Sequence, residues 1–174
     1  MSTEITAVRD MVIRLDRYPH LREDEPIGNG VALLLQNCSA DGMHLHFEEA
    51  LVVDGDGDLV GHLTVENILA SFFPSILAPD QVTAYVGKKD QFTDLSILFE
   101  DSFRKECRRQ AGKMVKQYMS KPRRVLNGAI HPLHALEIMV KEKAHSLPVS
   151  DDQELIGAVR ITDLFRILGT YCTL

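Results

Sequence analysis

The sequence predicts an α/β fold built from two similar copies, each in the order helix–strand–turn–strand–helix. Two observations predict it. Residues 51–69 align without gaps on residues 147–165, an offset of 96, and their apolar positions and one glycine coincide. In both copies short apolar strands flank a polar turn, and apolar residues then recur at helical spacing. Internal similarity of this kind indicates a repeated structural unit.

Each copy contains one predicted β-hairpin. Its strands are Leu51–Val53 and Leu59–Leu63 in the first copy, and Leu147–Val149 and Leu155–Val159 in the second. The Asp-Gly-Asp-Gly-Asp run between the first pair fits a hairpin turn. It does not fit an EF-hand calcium loop, because leucine and valine stand where that loop needs glycine and glutamate.

Amphipathic helices are predicted before and after each hairpin, because apolar residues recur at spacings of three and four. The upstream helices are expected to bury Val31, Leu34 and Leu35 in the first copy, and Leu133, Leu136, Met139 and Val140 in the second. The downstream helices are expected to bury Val65, Ile68, Leu69 and Phe72, and Ile161, Leu164, Phe165 and Leu168. His131, beside Pro132, is expected to start the second upstream helix.

An unrepeated insert of residues 73–114 separates the copies. Its first half is predicted to be loop and its second half a helix, Leu95–Met114. Nine of the nineteen basic residues lie between Arg104 and Arg124 with a single acid, although the chain's net charge is −6. This stretch is either a solvated helix face or a docking patch for an acidic partner, a ligand phosphate or a membrane surface. The negative net charge argues against nucleic acid as a general partner.

Composition and motifs give no evidence for an enzyme or a metal site. The adjacent acids Glu48 and Glu49 point to opposite faces of a strand, and the histidines have no nearby ligands at metal spacing. No phosphate-binding loop, dinucleotide fingerprint or serine-nucleophile motif is present. The three cysteines form no CxxC pair, and no signal sequence or membrane span is visible, so the cytoplasm is the expected location.

Specific residues carry a family resemblance. The first copy opens with Val8-Arg9-Asp10-Met11 and later contains Gly61-His62-Leu63-Thr64-Val65-Glu66-Asn67. The second copy opens with Val115-Lys116-Gln117-Tyr118-Met119 and later contains Leu147-Pro148-Val149 and Gly157–Leu164. With the element order, these segments resemble the tandem pair of cystathionine-β-synthase-type (CBS) domains, or Bateman module, of small stand-alone bacterial proteins.

The resemblance implies two β-α-β-β-α repeats related by a pseudo-twofold axis, with the helical insert between them. The repeats are expected at residues 1–72 and 115–174. It also implies a regulatory ligand sensor without catalytic activity, which commonly forms a homodimer and acts on a further protein. The expected ligand is an adenine nucleotide (AMP, ADP or ATP) in the cleft between the repeats.

In this family the pattern Gly-apolar-x-Thr/Ser-x-x-Asp/Asn marks the nucleotide site. It matches Gly61, Thr64 and Asn67, and then Gly157 and Asp163, with Arg160 at the Thr/Ser position. A hydroxyl at a helix N-terminus favours phosphate, and an acceptor one turn later suits ribose. His62, Leu147 and Pro148 complete the predicted ligand-binding residues.

Several alternatives stay open. Thr64 is either a ligand-binding residue or only a helix cap, and Asp163 is either a ligand-binding residue or only a first-turn acid. Arg160 either binds phosphate directly or fills the site as a built-in cation. A ligand-free interaction scaffold that uses the insert helix and its basic patch is the alternative function.

Overall fold

The computed structural model describes residues 5–72 and 100–172, without the side chains of residues 100–103. The chain forms two compact units, and each unit combines separate segments of the sequence. The first unit contains Met1–His20, Leu51–His62 and Lys121–Leu174, and the second contains Leu21–Ala50 and Leu63–Ser120. None of the helices in the described ranges has the length and hydrophobicity of a membrane-spanning segment.

Strands and helices are interspersed along the chain, which confirms the predicted α/β fold. The elements are β1 (Ile13–Arg14), β2 (His20–Arg22), α1 (Ile27–Gln36), β3 (Glu49–Val53), β4 (Leu59–Thr64), α2 (Val65–Phe72), α3 (Glu100–Ala111), β5 (Leu126–Asn127), α4 (Pro132–Glu142), β6 (Ser146–Asp151), β7 (Glu154–Arg160) and α5 (Ile161–Leu168). Short 3-10 turns cover Val8–Asp10, Val115–Gln117 and Gly169–Cys172. Both hairpins lie where the sequence predicts them, extended by one to three residues.

The internal repeat is preserved in the element boundaries. Strand β4 passes directly into α2 at Thr64, and β7 passes directly into α5 at Arg160, 96 positions later. Upstream of the hairpins the offset is larger, because residues 37–48 separate α1 from β3 whereas only residues 143–145 separate α4 from β6. The first copy therefore carries a longer link between its upstream helix and its hairpin.

The four-stranded sheet has the order β1-β7-β6-β5, and the three-stranded sheet has the order β2-β3-β4. Strands β6 and β7 are antiparallel, and β5 is parallel to β6. Strand β1 is antiparallel to β7, with Ile13 opposite Ala158 and Arg14 opposite Gly157. The segment that opens the first copy is thus part of the sheet that carries the second hairpin.

The second unit also contains the segment that opens the second copy. The backbone N–H of Val115 donates to the carbonyl of Glu25 at 2.9 Å, and that of Lys116 donates to the carbonyl of Glu23 at 3.0 Å. Both units therefore join residues that are far apart in the sequence.

The core of the first unit lies between its sheet and helices α4 and α5. It is formed by Val8, Leu126, Ala135, Ile138, Met139, Ala144, Leu147, Val149, Val159 and Leu164. Helix α4 packs through Ala135, Ile138 and Met139, so the predicted burial of Leu133 and Val140 is wrong: they are 57 % and 61 % exposed. Helix α4 therefore carries more apolar residues than the core of the first unit buries.

In the other three helices with a predicted buried stripe, α1, α2 and α5, fewer residues are buried than predicted. Each buries one residue of its predicted stripe well, namely Leu34 in α1, Ile68 in α2 and Leu164 in α5. A neighbouring apolar residue of each stripe is exposed instead: Leu35, Leu69 and Phe165. Each core-facing stripe is therefore narrower than the apolar pattern predicts.

Helix α1 lies against other parts of the second unit at two glycines. A Cβ at Gly30 would lie 2.7 Å from Leu63 Cδ2, and one at Gly28 would lie 3.2 Å from Ala111 in α3. Helix α3 also packs on α2. It covers residues 100–111 of the predicted helix; residues 95–99, and the loop predicted before them, lie outside the described residues.

Two local predictions about loops and caps are confirmed. In the first hairpin turn, Asp54 Oδ1 accepts hydrogen bonds from the backbone N–H groups of Asp56 and Asp58, at 2.9 and 3.0 Å. Helix α4 begins at Pro132 with His131 as its N-cap, and His131 Nδ1 accepts from the N–H of Leu133 at 3.2 Å. The acidic run is thus a tight turn, and His131 has a structural role.

Candidate functional site

Thr64 and Asn67 form a reciprocal cap at the start of α2. Thr64 Oγ1 accepts from the backbone N–H of Asn67 at 3.1 Å, and Asn67 Oδ1 accepts from the N–H of Thr64 at 3.0 Å. The Thr64 hydroxyl lies 3.1 Å from the same Asn67 oxygen and donates to it. This arrangement follows the capping-box pattern, with asparagine in place of glutamate or glutamine. The helix-cap role considered for Thr64 is therefore present.

Ser120 is a third member of this cluster, and the sequence analysis missed it. Its hydroxyl lies 3.2 Å from Asn67 Nδ2 and 3.3 Å from Asn67 Oδ1, so it accepts from the first or donates to the second. Ser120 follows the 3-10 turn that opens the second copy and is 53 residues away in sequence. No spacing rule links it to Asn67; only the contact in the folded chain does.

Gly61 and His62 lie inside β4 and are both buried, His62 with 8 % of its surface exposed. Thr64 and Asn67 are only partly buried. In the first copy, the predicted polar groups accessible to a ligand are therefore those of Thr64 and Asn67 at the start of α2. Gly61 and His62 belong to the preceding strand, β4.

In the second copy, Arg160 and Asp163 form an ion pair at the start of α5. Arg160 Nε donates to Asp163 Oδ2 at 2.7 Å, and Arg160 Nη2 donates to Asp163 Oδ1 at 3.0 Å. Their side chains are 31 % and 20 % exposed. The hydrogen bond that Arg160 donates to Asp163 is the main cause that raises the pKa of Arg160 above its ordinary value. Arg160 is the N-cap residue of α5, but its side chain makes no capping hydrogen bond.

Gly157 has a backbone role that its place in the motif does not reveal. Its φ is +146°, a conformation that L-residues rarely adopt, and a Cβ there would lie 2.0 Å from the carbonyl oxygen of Ile13. Glycine at this position lets β1 approach β7 closely enough to pair with it.

Leu147 and Pro148 lie in β6, opposite Val159 and Ala158 of β7, and both are buried. Leu147 belongs to the core of the first unit. These two predicted site residues therefore build the hairpin on which Arg160 and Asp163 are carried.

The predicted residues thus form two polar pairs, one in each unit. Thr64 and Asn67 belong to the second unit, and Arg160 and Asp163 to the first. Both pairs place hydrogen-bonding groups beside a helix N-terminus, where backbone N–H groups and the helix dipole favour an anion. Within residues 5–72 and 100–172, no group of three or more His, Cys, Asp and Glu side chains has the arrangement of a metal site.

Comparisons with known proteins agree with this architecture. The sequence model of the CBS domain family matches residues 115–170. No curated protein matches the chain in sequence.

Solved structures share the fold at low sequence identity. A CBS domain-containing protein of unknown function from Kribbella flavida has a TM-score of 0.70 at 17 % identity, over 94 % of this chain and 98 % of that one. CBSX2, a CBS-pair protein of Arabidopsis thaliana, in complex with AMP has a TM-score of 0.63 at 17 % identity, over 97 % and 99 %. The CBS domain of a bacterial CNNM/CorC family Mg²⁺ transporter in complex with ATP has a TM-score of 0.60 at 16 % identity, over 94 % and 88 %. Residues 115–170 are thus similar to the CBS domain, and the chain has the fold of the CBS-domain pair proteins.

Proposed function

We propose that this chain is a regulatory module that binds an adenosine-containing ligand, AMP, ADP or ATP, and catalyses no reaction. The observation that carries the proposal is the pair of polar clusters at the starts of α2 and α5, 96 positions apart on matching elements. Two proteins with the same fold have solved structures in complex with AMP and with ATP, which supports an adenine nucleotide as the ligand class.

The first-copy cluster has the chemistry to receive a nucleotide. The Thr64 hydroxyl and the N-terminus of α2 together offer donors to a phosphate. Asn67 Nδ2 carries two protons, and among the described residues only the Ser120 hydroxyl is placed to accept one of them, so at least one proton is available to a ligand oxygen. A ligand that engages the Thr64 hydroxyl takes it from Asn67 Oδ1, which then accepts from a ribose hydroxyl.

Calorimetric titration of the whole chain with AMP, ADP and ATP tests this proposal, with GMP as the control for the base. Thr64→Val keeps the side-chain shape and removes the hydroxyl, while Thr64→Ser keeps the hydroxyl. We expect Thr64→Val to weaken nucleotide binding by roughly 10- to 100-fold, since a hydrogen bond to a charged group contributes about 1.5–3 kcal/mol. Thr64→Ser should bind within about threefold of the parent protein. Failure of all three nucleotides to bind at millimolar concentration contradicts the proposal.

We also propose that the ligand acts by changing the conformation or the association of the chain, which a further protein then reads. Exposed apolar residues on two adjacent helices, Leu133 and Val140 on α4 and Phe165 on α5, support a homodimer as the starting state. Sedimentation velocity tests this. Val140→Glu should produce monomers, whereas Lys141→Ser, on the same helix, should not. A parent chain that sediments as a monomer overturns the dimer.

A cytoplasmic location belongs to the same proposal. The thiols of Cys38, Cys107 and Cys172 form no disulfide, as in proteins of reducing compartments.

A specific observation also supports the alternative of a ligand-free interaction scaffold. Arg104, Lys105, Arg108 and Arg109 are all exposed on α3. Such a face attracts an acidic partner. Thermal-shift measurements separate the two functions: a ligand at 100 times its dissociation constant stabilises by about 2.7 kcal/mol. If AMP, ADP, ATP, S-adenosylmethionine, NADH and cyclic dinucleotides all leave the melting temperature unchanged, the scaffold function is favoured.

A further inference from the structure

Helix α3 belongs to the unrepeated insert and has two sides of different character. Its inward side packs on α1 and α2, and Gln110 on that side is 2 % exposed. Its outward side carries four exposed cations within six consecutive residues, Arg104, Lys105, Arg108 and Arg109. One side of α3 therefore stabilises the second unit, and the other remains in contact with solvent.

The positive charge of the outward side is only partly balanced within the chain. Glu106 is the single acid among residues 104–111, and it pairs with Arg109 at 2.6 Å. The side-chain amide of Gln110 donates to the same carboxylate at 2.5 Å, so Glu106 is already engaged twice. Lys105 and Arg108 form no ion pair with any residue that the structure describes. These two cations are therefore accessible to an anion from outside the chain.

The cations of α3 also repel one another. Arg104 and Arg108 are four residues apart, as are Lys105 and Arg109, and like charges at this spacing destabilise a helix. The helix dipole offsets the repulsion for Arg108 and Arg109 in the last turn, but not for Lys105 in the middle of the helix. The arrangement lowers the stability of the chain alone, and a bound anionic group removes part of the repulsion.

The size and surroundings of the outward side favour a short acidic segment of a protein as its partner. The four cations span about 8 Å along the helix axis, at about 1.5 Å per residue, which is close to the Debye length of about 8 Å at physiological ionic strength. Their attraction therefore acts mainly on charges placed directly over them. The chain has a net charge of −6, so a nucleic-acid duplex or an anionic membrane that extends beyond α3 meets a chain of its own sign. A run of glutamates or aspartates covers α3 alone, and its carboxylates match the planar guanidinium of Arg108.

We propose that the outward side of α3 is the docking surface for an acidic segment of a partner protein, with Lys105 and Arg108 as its main contacts. This inference rests on the proposed function, because it assigns a position and a charge to the further protein that reads the ligand state. Helix α2, which begins at the cluster of Thr64 and Asn67, packs on α3. One helix therefore connects the candidate nucleotide site of the first copy with the docking surface.

Fluorescence anisotropy with a labelled peptide and the whole chain tests the proposal. The probe has about 12 residues, of which about eight are glutamate, because acidic runs of this kind are common interaction tails. The same peptide with glutamine in place of every glutamate is its control. We expect the acidic peptide to bind at least about tenfold more tightly than the neutral one. Its affinity should fall as the salt concentration rises from about 50 to about 500 mM, since salt screens exposed charges.

Charge reversal at two residues identifies the surface. Lys105→Glu combined with Arg108→Glu should weaken binding of the acidic peptide at least about tenfold. Each new glutamate lies one turn from an arginine, so α3 should stay folded, and the melting temperature checks this. If it falls, Lys105→Gln combined with Arg108→Gln replaces this variant and should weaken binding at least about threefold. The matched control is Arg14→Glu with Arg17→Glu, two exposed cations at the same spacing in the first unit, which should change binding by less than about threefold.

The outcomes separate this inference from the proposed function. If the acidic peptide binds no more tightly than the neutral one, or if charge reversal leaves its affinity unchanged, the docking surface is wrong, while nucleotide binding by the parent chain stands. If single-stranded DNA or vesicles with about one third phosphatidylserine bind more tightly than the peptide and lose binding on charge reversal, the surface serves another class of partner and the inference is also wrong. If the peptide binds as expected but AMP, ADP and ATP do not bind, the docking surface stands and the proposed nucleotide binding is overturned.

Discussion

Gly157→Ala should destabilise the first unit more than any surface substitution. An L-residue in the sparsely populated backbone region of Gly157, whose φ is +146°, costs about 1–3 kcal/mol. The new Cβ would also lie 2.0 Å from the Ile13 carbonyl oxygen, so β1 must move away by more than about 1 Å to reach ordinary contact. The ladder between β1 and β7 then loses one or two hydrogen bonds at about 0.5–1.5 kcal/mol each. The total loss is roughly 1.5–6 kcal/mol.

Urea denaturation and thermal unfolding measure this loss. For a chain of this size, a loss of about 1.5–6 kcal/mol corresponds to a melting temperature lower by roughly 3–24 °C. Hydrogen exchange at the Leu15 amide, which donates to Ile156 at 2.9 Å, should report the release of β1 directly. Gly169→Ala is the matched control, because Gly169 has a φ of −63° and only ordinary contacts near its Cβ position. If Gly157→Ala unfolds within about 0.5 kcal/mol of the parent chain, the assigned role of Gly157 is incorrect.

Three further predictions concern the core, the first helix cap and acid stability. Leu164→Ala, at a fully buried position, should lower the free energy of unfolding by about 2–5 kcal/mol in urea titrations, and a loss below about 1 kcal/mol contradicts its burial. Thr64→Ala should lower it by about 0.5–2 kcal/mol, whereas Thr64→Ser should keep most of it; equal stabilities of both variants refute the cap. Backbone hydrogen bonds from Ala7 and Thr6 lower the pKa of Asp10 below its ordinary 3.8. Its stabilising effect is therefore present above that pH and is lost as the pH falls through the lowered pKa. The difference in melting temperature between the parent chain and Asp10→Asn should shrink from pH 6 to pH 3, and a difference that is constant with pH argues against this contribution.

The hairpins and the helices after them could be predicted because local patterns determine them. Apolar runs on both sides of Asp54–Asp58 predict strands and a turn, and the structure has them. The start of α4 followed from His131 and Pro132, which satisfy the requirements of a helix N-terminus without help from the rest of the chain. The positions of Thr64 and Arg160 at helix starts followed from the repeat.

Features that depend on distant contacts could not be predicted in this way. The exposure of Val140 and Phe165 depends on how much of each helix face the core covers, and periodicity alone does not contain that information. The bond between Asn67 and Ser120 joins residues in different copies, and the pairing of β1 with β7 involves two residues of weak strand pattern. The ion pair between Arg160 and Asp163 could not be predicted, because the sequence alone does not determine where the guanidinium points.

The pairing of Ile13 with Ala158 has a consequence for how the chain acquires its structure during synthesis. The ribosome adds 145 residues after Ile13 before its partner strand exists. Until then β1 has no partner strand, and the first unit lacks both the β6–β7 hairpin and most of its core. Contacts of such large sequence separation slow folding. We expect the nascent chain to remain protease-sensitive near its N-terminus until β7 has been synthesised and has left the ribosome.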